Sequence, residues 1–317
     1  MNPSDYMSIR VSTLRGDLPI PFDAYVRVAG KFILYCRKGD SFEGERLARL
    51  QKKKLDRMYI PNTDKQSYRD YLSRNVTQAY ESNLDKPIQI RTEIIQGALQ
   101  ATVEEVLDEP GNPGFYVALK DSVRQFADFL MTEQESVACL LSIPNAYCNY
   151  AQHGINVAAL ALGIAHKTGL TKAKAPLIDA FLVGCTIHDI AHHRSNLQVD
   201  RPVNQLNPQE RSSYLKHPTE GARILKDLAH VDQITLSVVL QHEERVDGSG
   251  FPKKTTGNQL DPLVTAAAVA NFYDRMTSWE HIDHKEALTK ILIDGVGSLP
   301  LDQLKALQAE LKFRNVV

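Results

Sequence analysis

The stretch His153-Gly154-Ile155-Asn156-Val157-Ala158-Ala159-Leu160-Ala161-Leu162-Gly163-Ile164 reads as a helix with a histidine on its apolar stripe. His153, Val157, Leu160 and Ile164 fall at i, i+4, i+7 and i+11, so the imidazole points where the core points. Ile178, Leu182, Cys185 and Asp189 repeat that spacing, and Ile234, Val238 and His242 continue it at steps of four. With His188 beside Asp189 and with His217 between, histidine and carboxylate recur at roughly 25 to 35 residues. Such groups are costly to bury unless something charged pairs with them. Neutral imidazole and carboxylate are standard ligands for iron, manganese or zinc, so a metal is the expected partner. The pattern predicts helices that aim ligands at the interior of one bundle.

Outward from that bundle, composition sets the bounds. At 317 residues the length suggests two domains, with 43% hydrophobic and 24% charged residues, an ordinary soluble balance. A net charge of −1 gives no reason to expect duplex nucleic acid as a partner. Cys36, Cys139, Cys148 and Cys185 show no C-x-x-C spacing and read as reduced, small hydrophobes. No apolar run is long enough to span a membrane, and Met1 to Thr13 lacks a signal-peptide core, so the expectation is a cytoplasmic protein.

The pattern changes near residue 75. Ala24 to Val28 alternates, Ala29-Gly30-Lys31 turns, and Phe32 to Cys36 returns, which predicts a hairpin. A helix is expected over Glu43 to Lys54 with Ser41 as its N-cap, then a strand at Met58-Tyr59-Ile60 stopped by Pro61, then a helix over Asp64 to Ser73. Tyr59, Tyr68 and Tyr71 read as packing residues. From Val76 onward the pattern is helical, with Asn83 to Leu107 ended by Pro110-Gly111-Asn112-Pro113-Gly114, then Val117 to Leu130 and Glu133 to Leu141. The fold class is therefore mainly α. A small α/β domain (1–75) is followed by connecting helices (76–143) and an all-helical metal-binding bundle (144–317). His217 immediately precedes Pro218, a good first helical residue, so His217 is expected at a helix start.

His153-Gly154-Ile155-Asn156-Val157-Ala158 resembles the H-S-x-N-V-A of the HD-GYP family, and His188-Asp189-Ile190 resembles its H-D-I-G-K. His217-Pro218-Thr219-Glu220-Gly221 is similar to H-P-x-x-G, and His242 to Pro252 is similar to H-H-E-x-x-D-G-x-G-Y-P. The motifs keep the family's order over about 130 residues. Pro21-Phe22-Asp23 and Arg37 to Phe42 resemble a small domain often placed before HD-GYP. That family hydrolyses the bacterial second messenger cyclic di-GMP, using two metals that share a carboxylate and activate water for attack on phosphorus.

The resemblance implies that Asp189 bridges two divalent ions, iron or manganese by the mixed nitrogen and oxygen ligand set. His153 and His188 would serve one ion, His217 and His242 the other. The family's glutamate before the first histidine is Asn149, which implies two metals rather than three. Glu243 replaces the second histidine of H-H-E, and Asn271 replaces the late aspartate of D-x-x-D-A-M-T-S. Both stay on the ligand set as oxygen donors, and Asp274 could compensate for Asn271 or pair with a neighbouring arginine. His192 takes the place of the H-D-I-G-K lysine and joins Asp189 as a catalytic candidate that meets phosphate. Asp247 and Gly250, from a loop that alone would be a simple turn, are expected at the substrate mouth with His192. Phe251 lacks the motif hydroxyl. Glu280-His281-Ile282-Asp283 stands where the family carries a basic R-P-Y-R that touches phosphate. The expected function is a divergent metal-dependent phosphodiesterase of cyclic di-GMP or a related phosphodiester, slow on cyclic di-GMP. The alternative is a non-catalytic, metal-containing signalling module that binds a nucleotide or a protein partner.

Overall fold

The computed structural model describes residues 3–16, 18–43, 46–53, 55, 57–81, 86–145, 149–195 and 202–317. The chain divides into two compact units, 1–101 and 102–317.

The first unit holds β1 (Tyr6–Arg10), β2 (Ala24–Val28), β3 (Lys31–Cys36), α1 (Arg46–Lys52), β4 (Arg57–Pro61) and α2 (Lys65–Tyr80). Its antiparallel sheet has the order β1-β4-β2-β3. The β2–β3 hairpin turns at Ala29 and Gly30, both with positive φ, 48° and 80°, as a two-residue loop between twisted strands requires. Phe22, Phe42, Met58 and Ile60 form the core with Tyr68 and Tyr71 from α2. Those two tyrosines stand edge-on to Phe22, which bears out their packing role. One expectation changes. β1 is an additional strand, paired with β4 in the register Tyr6 to Pro61 through Arg10 to Arg57. Of the helix expected over Glu43 to Lys54, α1 is described; residues 44, 45 and 54, and with them the start that Ser41 was expected to cap, lie outside the described residues. So do Cys148 and the expected helix start at Asn83; the helix there, α3, runs over Ile88–Asp108.

The second unit is built from α4 (Pro113–Thr132), α5 (Ser136–Leu141), α6 (Tyr150–Lys167), α7 (Leu170–Ala173), α8 (Ile178–Ile187), α9 (Ile190–Ser195), α10 (Pro208–Leu225), α11 (Gln233–Gln241), α12 (Pro262–Ser278), α13 (His284–Asp294) and α14 (Leu301–Phe313). No helix among the described residues is long and apolar enough to cross a membrane. Helix α6 is buried on every side from Ala151 to Ala165, the signature of a central helix. It packs against α8, α12 and α14. Small residues set how closely its neighbours approach. A Cβ on Gly154 would lie 2.2 Å from the Thr186 carbonyl oxygen, and one on Gly184 would lie 2.9 Å from Val238 Cβ. These two contacts draw α6, α8 and α11 together just where His153, His188 and His242 are carried.

Helix starts follow local chemistry. Asn149 caps α6 by accepting from the Gln152 amide at 2.9 Å. Asn207 and Glu210 form a reciprocal capping box at α10, with Pro208 in the first turn. That start corrects the expectation for His217, which lies in the middle of α10 rather than at its beginning. Pro218 sits inside the helix and lacks the N–H that would bond the carbonyl four residues back, on Tyr214. The freed Tyr214 carbonyl accepts instead from His217 Nδ1, at 2.5 Å. The proline thus helps to aim a histidine.

Candidate metal centre

Asp189 occupies the break between α8 and α9, and its two carboxylate oxygens face different pairs of histidines. Oδ2 is 3.4 Å from His188 Nε2 and 3.7 Å from His153 Nε2. Oδ1 is 3.4 Å from His217 Nε2 and 3.7 Å from His242 Nε2. The ligand-type atoms form two groups that share Asp189: His153, His188, Asp189 and Asp189, His217, His242. All five residues are buried.

The other nitrogen of each ring decides what this arrangement can bind. His153 Nδ1 is 2.7 Å from Asp274 Oδ2, and His188 Nδ1 is 2.7 Å from the Cys185 carbonyl. His217 Nδ1 meets the Tyr214 carbonyl, and His242 Nδ1 is 3.0 Å from the Val239 carbonyl. Carbonyls and carboxylates only accept, so in all four rings Nδ1 carries a hydrogen, and in the neutral ring Nε2 presents a lone pair. Those lone pairs converge. His217 and His242 bring their Nε2 atoms within 2.8 Å of each other, and His188 Nε2 is buried with no hydrogen-bond partner among the described residues. Acceptors facing acceptors in a buried site call for a cation, and imidazole nitrogen with carboxylate oxygen suits a transition-metal dication. Burial lowers the His188 pKa to about 3 and holds His217 well below its usual value, against the opposing charge of Asp189. Both rings are therefore neutral and free to ligate near neutrality.

Asn271 and Glu243, expected as further oxygen ligands, are placed differently from each other. Asn271 Nδ2 donates to Glu243 Oε1 at 3.2 Å, which turns Asn271 Oδ1 toward His153 Nε2 at 3.0 Å. Glu243 also accepts from the Tyr214 hydroxyl at 2.6 Å and from Arg275 Nη1 at 3.3 Å. Burial would raise its pKa, but Arg275 and Arg245 outweigh that and lower it to about 2. The structure brings Asn271 to the centre, whereas Glu243 lies outside both groups of converging atoms, its charge matched by arginine. One consequence is testable. Aspartate at 271 would set two carboxylates about 3 Å apart, where like charges repel. Asn271→Asp alone is therefore expected to leave metal affinity unchanged or weaker, whereas Asn271→Asp with Glu243→Gln should tighten it roughly tenfold or more. Competition with a chromogenic chelator reads both outcomes, and tighter binding by the single variant would refute this role for Glu243.

His192 is buried on α9, with Tyr150 and Tyr214 stacked near it, each ring centroid 5.6 Å away, and His217 at 4.1 Å. Its Nε2 has no hydrogen-bond partner among the described residues. Its neighbour His193 points elsewhere, pairing with Asp108 at 2.7 Å. Asp247 is exposed and accepts from the Ser249 amide and hydroxyl at 2.9 and 2.7 Å, which satisfies its own loop. Gly250 is needed for close approach, because a Cβ there would lie 2.4 Å from the Arg245 amide nitrogen. Phe251 stands near Tyr214 and His217, with ring centroids 5.7 and 6.1 Å away. The acidic segment after α12 divides. Glu280 lines a cavity with Arg275, while Asp283 caps α13 by accepting from the Lys285 amide at 2.9 Å. Tyr214 and Arg275 were not singled out in the sequence. Their partner Glu243 is 29 and 32 residues away, and no local pattern announces such contacts.

A family model described as the HD domain matches residues 144–296. The solved structure of Bd1817, a HDG"Y"P protein from Bdellovibrio bacteriovorus, is similar at 40% identity and a TM-score of 0.88. That match covers 97% of this chain and 100% of the other. The chain belongs to the HD-GYP family. A cyclic di-GMP phosphodiesterase from Pseudomonas aeruginosa is 32% identical over 127 residues, covering 40% of this chain. A 3'3'-cGAMP-specific phosphodiesterase from Vibrio cholerae is 24% identical over 160 residues, covering 49% of this chain. The chain spans only 30% of the length of each of these two curated relatives. This HD-GYP chain carries no hydroxyl at Phe251, and it pairs Asn271 with Glu243.

Proposed function

We propose that the chain is a metal-dependent phosphodiesterase acting on a cyclic dinucleotide, slowly on cyclic di-GMP. The convergence of four Nε2 atoms on the two oxygens of Asp189 carries this reading. His153, His188, Asp189 and Asn271 would hold one divalent ion, and Asp189, His217 and His242 the other, with iron or manganese as the matching metals. Two such ions would supply the Lewis acidity and the activated nucleophile that phosphodiester hydrolysis needs. Glu243 fixes the Asn271 amide with its oxygen toward His153, and Asp274 fixes the His153 ring. His192, whose Nε2 has no hydrogen-bond partner among the described residues, is available to a phosphate oxygen. Phe251 keeps the ring of the family's tyrosine without its hydroxyl, Glu280 to Asp283 replace the family's basic element, and one lost contact to a charged phosphate is worth roughly 1.5 to 3 kcal/mol, which supports slow turnover.

Elemental analysis of protein purified without oxygen should approach two metal ions per chain, and prolonged incubation with cyclic di-GMP should release linear product. A metal ratio near zero after reconstitution would refute the reading. A full metal complement with no turnover of cyclic di-GMP, 3'3'-cGAMP or bis(p-nitrophenyl) phosphate would instead favour a module that binds a nucleotide or a signalling partner.

A further inference from the structure

Arg275, with a side chain only 14% exposed, is a cation that the proposed chemistry leaves without a task. Its hydrogen bonds among the described residues all leave from Nη1, to Glu243 and to the Tyr214 hydroxyl, and its guanidinium lies over the Tyr214 ring at 5.0 Å. Nε and Nη2 make none. Burial would lower its pKa, yet Tyr214, Glu243, Asp189 and Glu280 outweigh burial and keep the guanidinium charged. One side of the fork is thus clamped toward the metal centre, close enough to feel Asp189. The same residue lines a cavity of about 430 Å³ whose wall also includes residues 202–205, Phe272, Glu280 and Lys290.

We infer that this cavity holds a phosphate group of the ligand, with Arg275 as its anchored cation and Lys290 as a weaker second one. The inference rests on the phosphodiester reading of the centre and adds the residues that receive the anion. A guanidinium fixed at one nitrogen and open at the others is oriented before the ligand arrives, so little freedom is lost on binding. Planar N–H pairs match phosphate oxygens in a way a lysine cannot. Glu280 faces the same space with the wrong sign. It offsets part of the attraction and sets how tightly an anion is held.

The test is a charge series in the full-length, metal-replete protein, with cyclic di-GMP binding followed by calorimetry at low and high salt. Arg275→Lys keeps a charge for Glu243 but loses the fork, and should weaken binding roughly ten- to a hundredfold. Lys290→Gln should weaken it a few-fold and Glu280→Gln should tighten it a few-fold, with both differences shrinking at high salt. Lys290 and Glu280 form no hydrogen bond to Glu243, so these two variants keep the test open should Arg275→Lys fold poorly. Binding that follows this order without any turnover would sustain the inference while refuting the hydrolase reading. Turnover with no charge order among the variants, or no binding at all, would overturn it.

Discussion

Asp189→Ala is expected to release both metal ions and to abolish phosphodiester hydrolysis. The carboxylate gives one oxygen to each pair of histidines, at 3.4 to 3.7 Å, and it belongs to both groups of converging atoms. Every other atom that faces the two groups among the described residues is an imidazole nitrogen or an amide oxygen, because Asp274 is turned to His153 Nδ1 and Glu243 to arginine. Removing Asp189 takes away the one anionic oxygen pair in contact with both sites. A unit charge at about 4 Å and an effective dielectric of 20 contributes about 4 kcal/mol, so the loss amounts to roughly a thousandfold in affinity for each ion. Asp189→Asn separates charge from shape and should lose nearly as much. His193→Ala, four residues further along the chain at an exposed pair with Asp108, should keep its metal. Elemental analysis after dialysis checks all three. Retention of both ions by Asp189→Ala would place the centre elsewhere.

The convergence of His153, Asp189 and His242 was legible in the sequence because their helices obey a period. His153 shares the stripe of Val157 and Leu160, and Asp189 that of Leu182 and Cys185, so each points inward wherever its helix is buried. What the period could not show was which of two prolines starts a helix. Pro208 and Pro218 both have that form, and only the Asn207–Glu210 capping box distinguishes the true start. Without it, His217-Pro218 has the form of a helix start, whereas the His217 ring is aimed by a carbonyl that the second proline leaves free. Glu243 differs. Next to His242 a carboxylate reads as another ligand, while its hydrogen-bond partners Arg275, Tyr214 and Asn271 are all distant in sequence. Strand β1 escaped notice similarly: its pairing partner β4 lies some fifty residues on, and five residues carry little pattern of their own.

Metal-free protein is expected to lose stability steeply as pH falls below about 6.5, the ordinary value for a histidine in an unfolded chain. Burial lowers the pKa of His188, His192 and His217, that of His188 to about 3. Between the unfolded and folded values the unfolded chain takes up protons that the folded chain refuses. Stability contributed by these groups is therefore fully present above about pH 6.5 and declines toward acid, with a slope of up to about 1.4 kcal/mol per pH unit for each ring. His188, whose folded value is about 3, carries that slope from about pH 6.5 down to about 3, and His192 and His217 add to it in the same direction. Urea midpoints of chelated protein between pH 7.5 and 5 measure this, and a flat profile would mean that the rings are not held neutral in the folded state. The same geometry links the proton to the metal. Nδ1 of His188 and His217 is already committed to a carbonyl, so an added proton must go to Nε2, the atom offered to the ion. Acid should then expel metal and loosen the bundle over one pH range, with loaded protein resisting to lower pH than chelated protein by an amount that grows with free metal concentration.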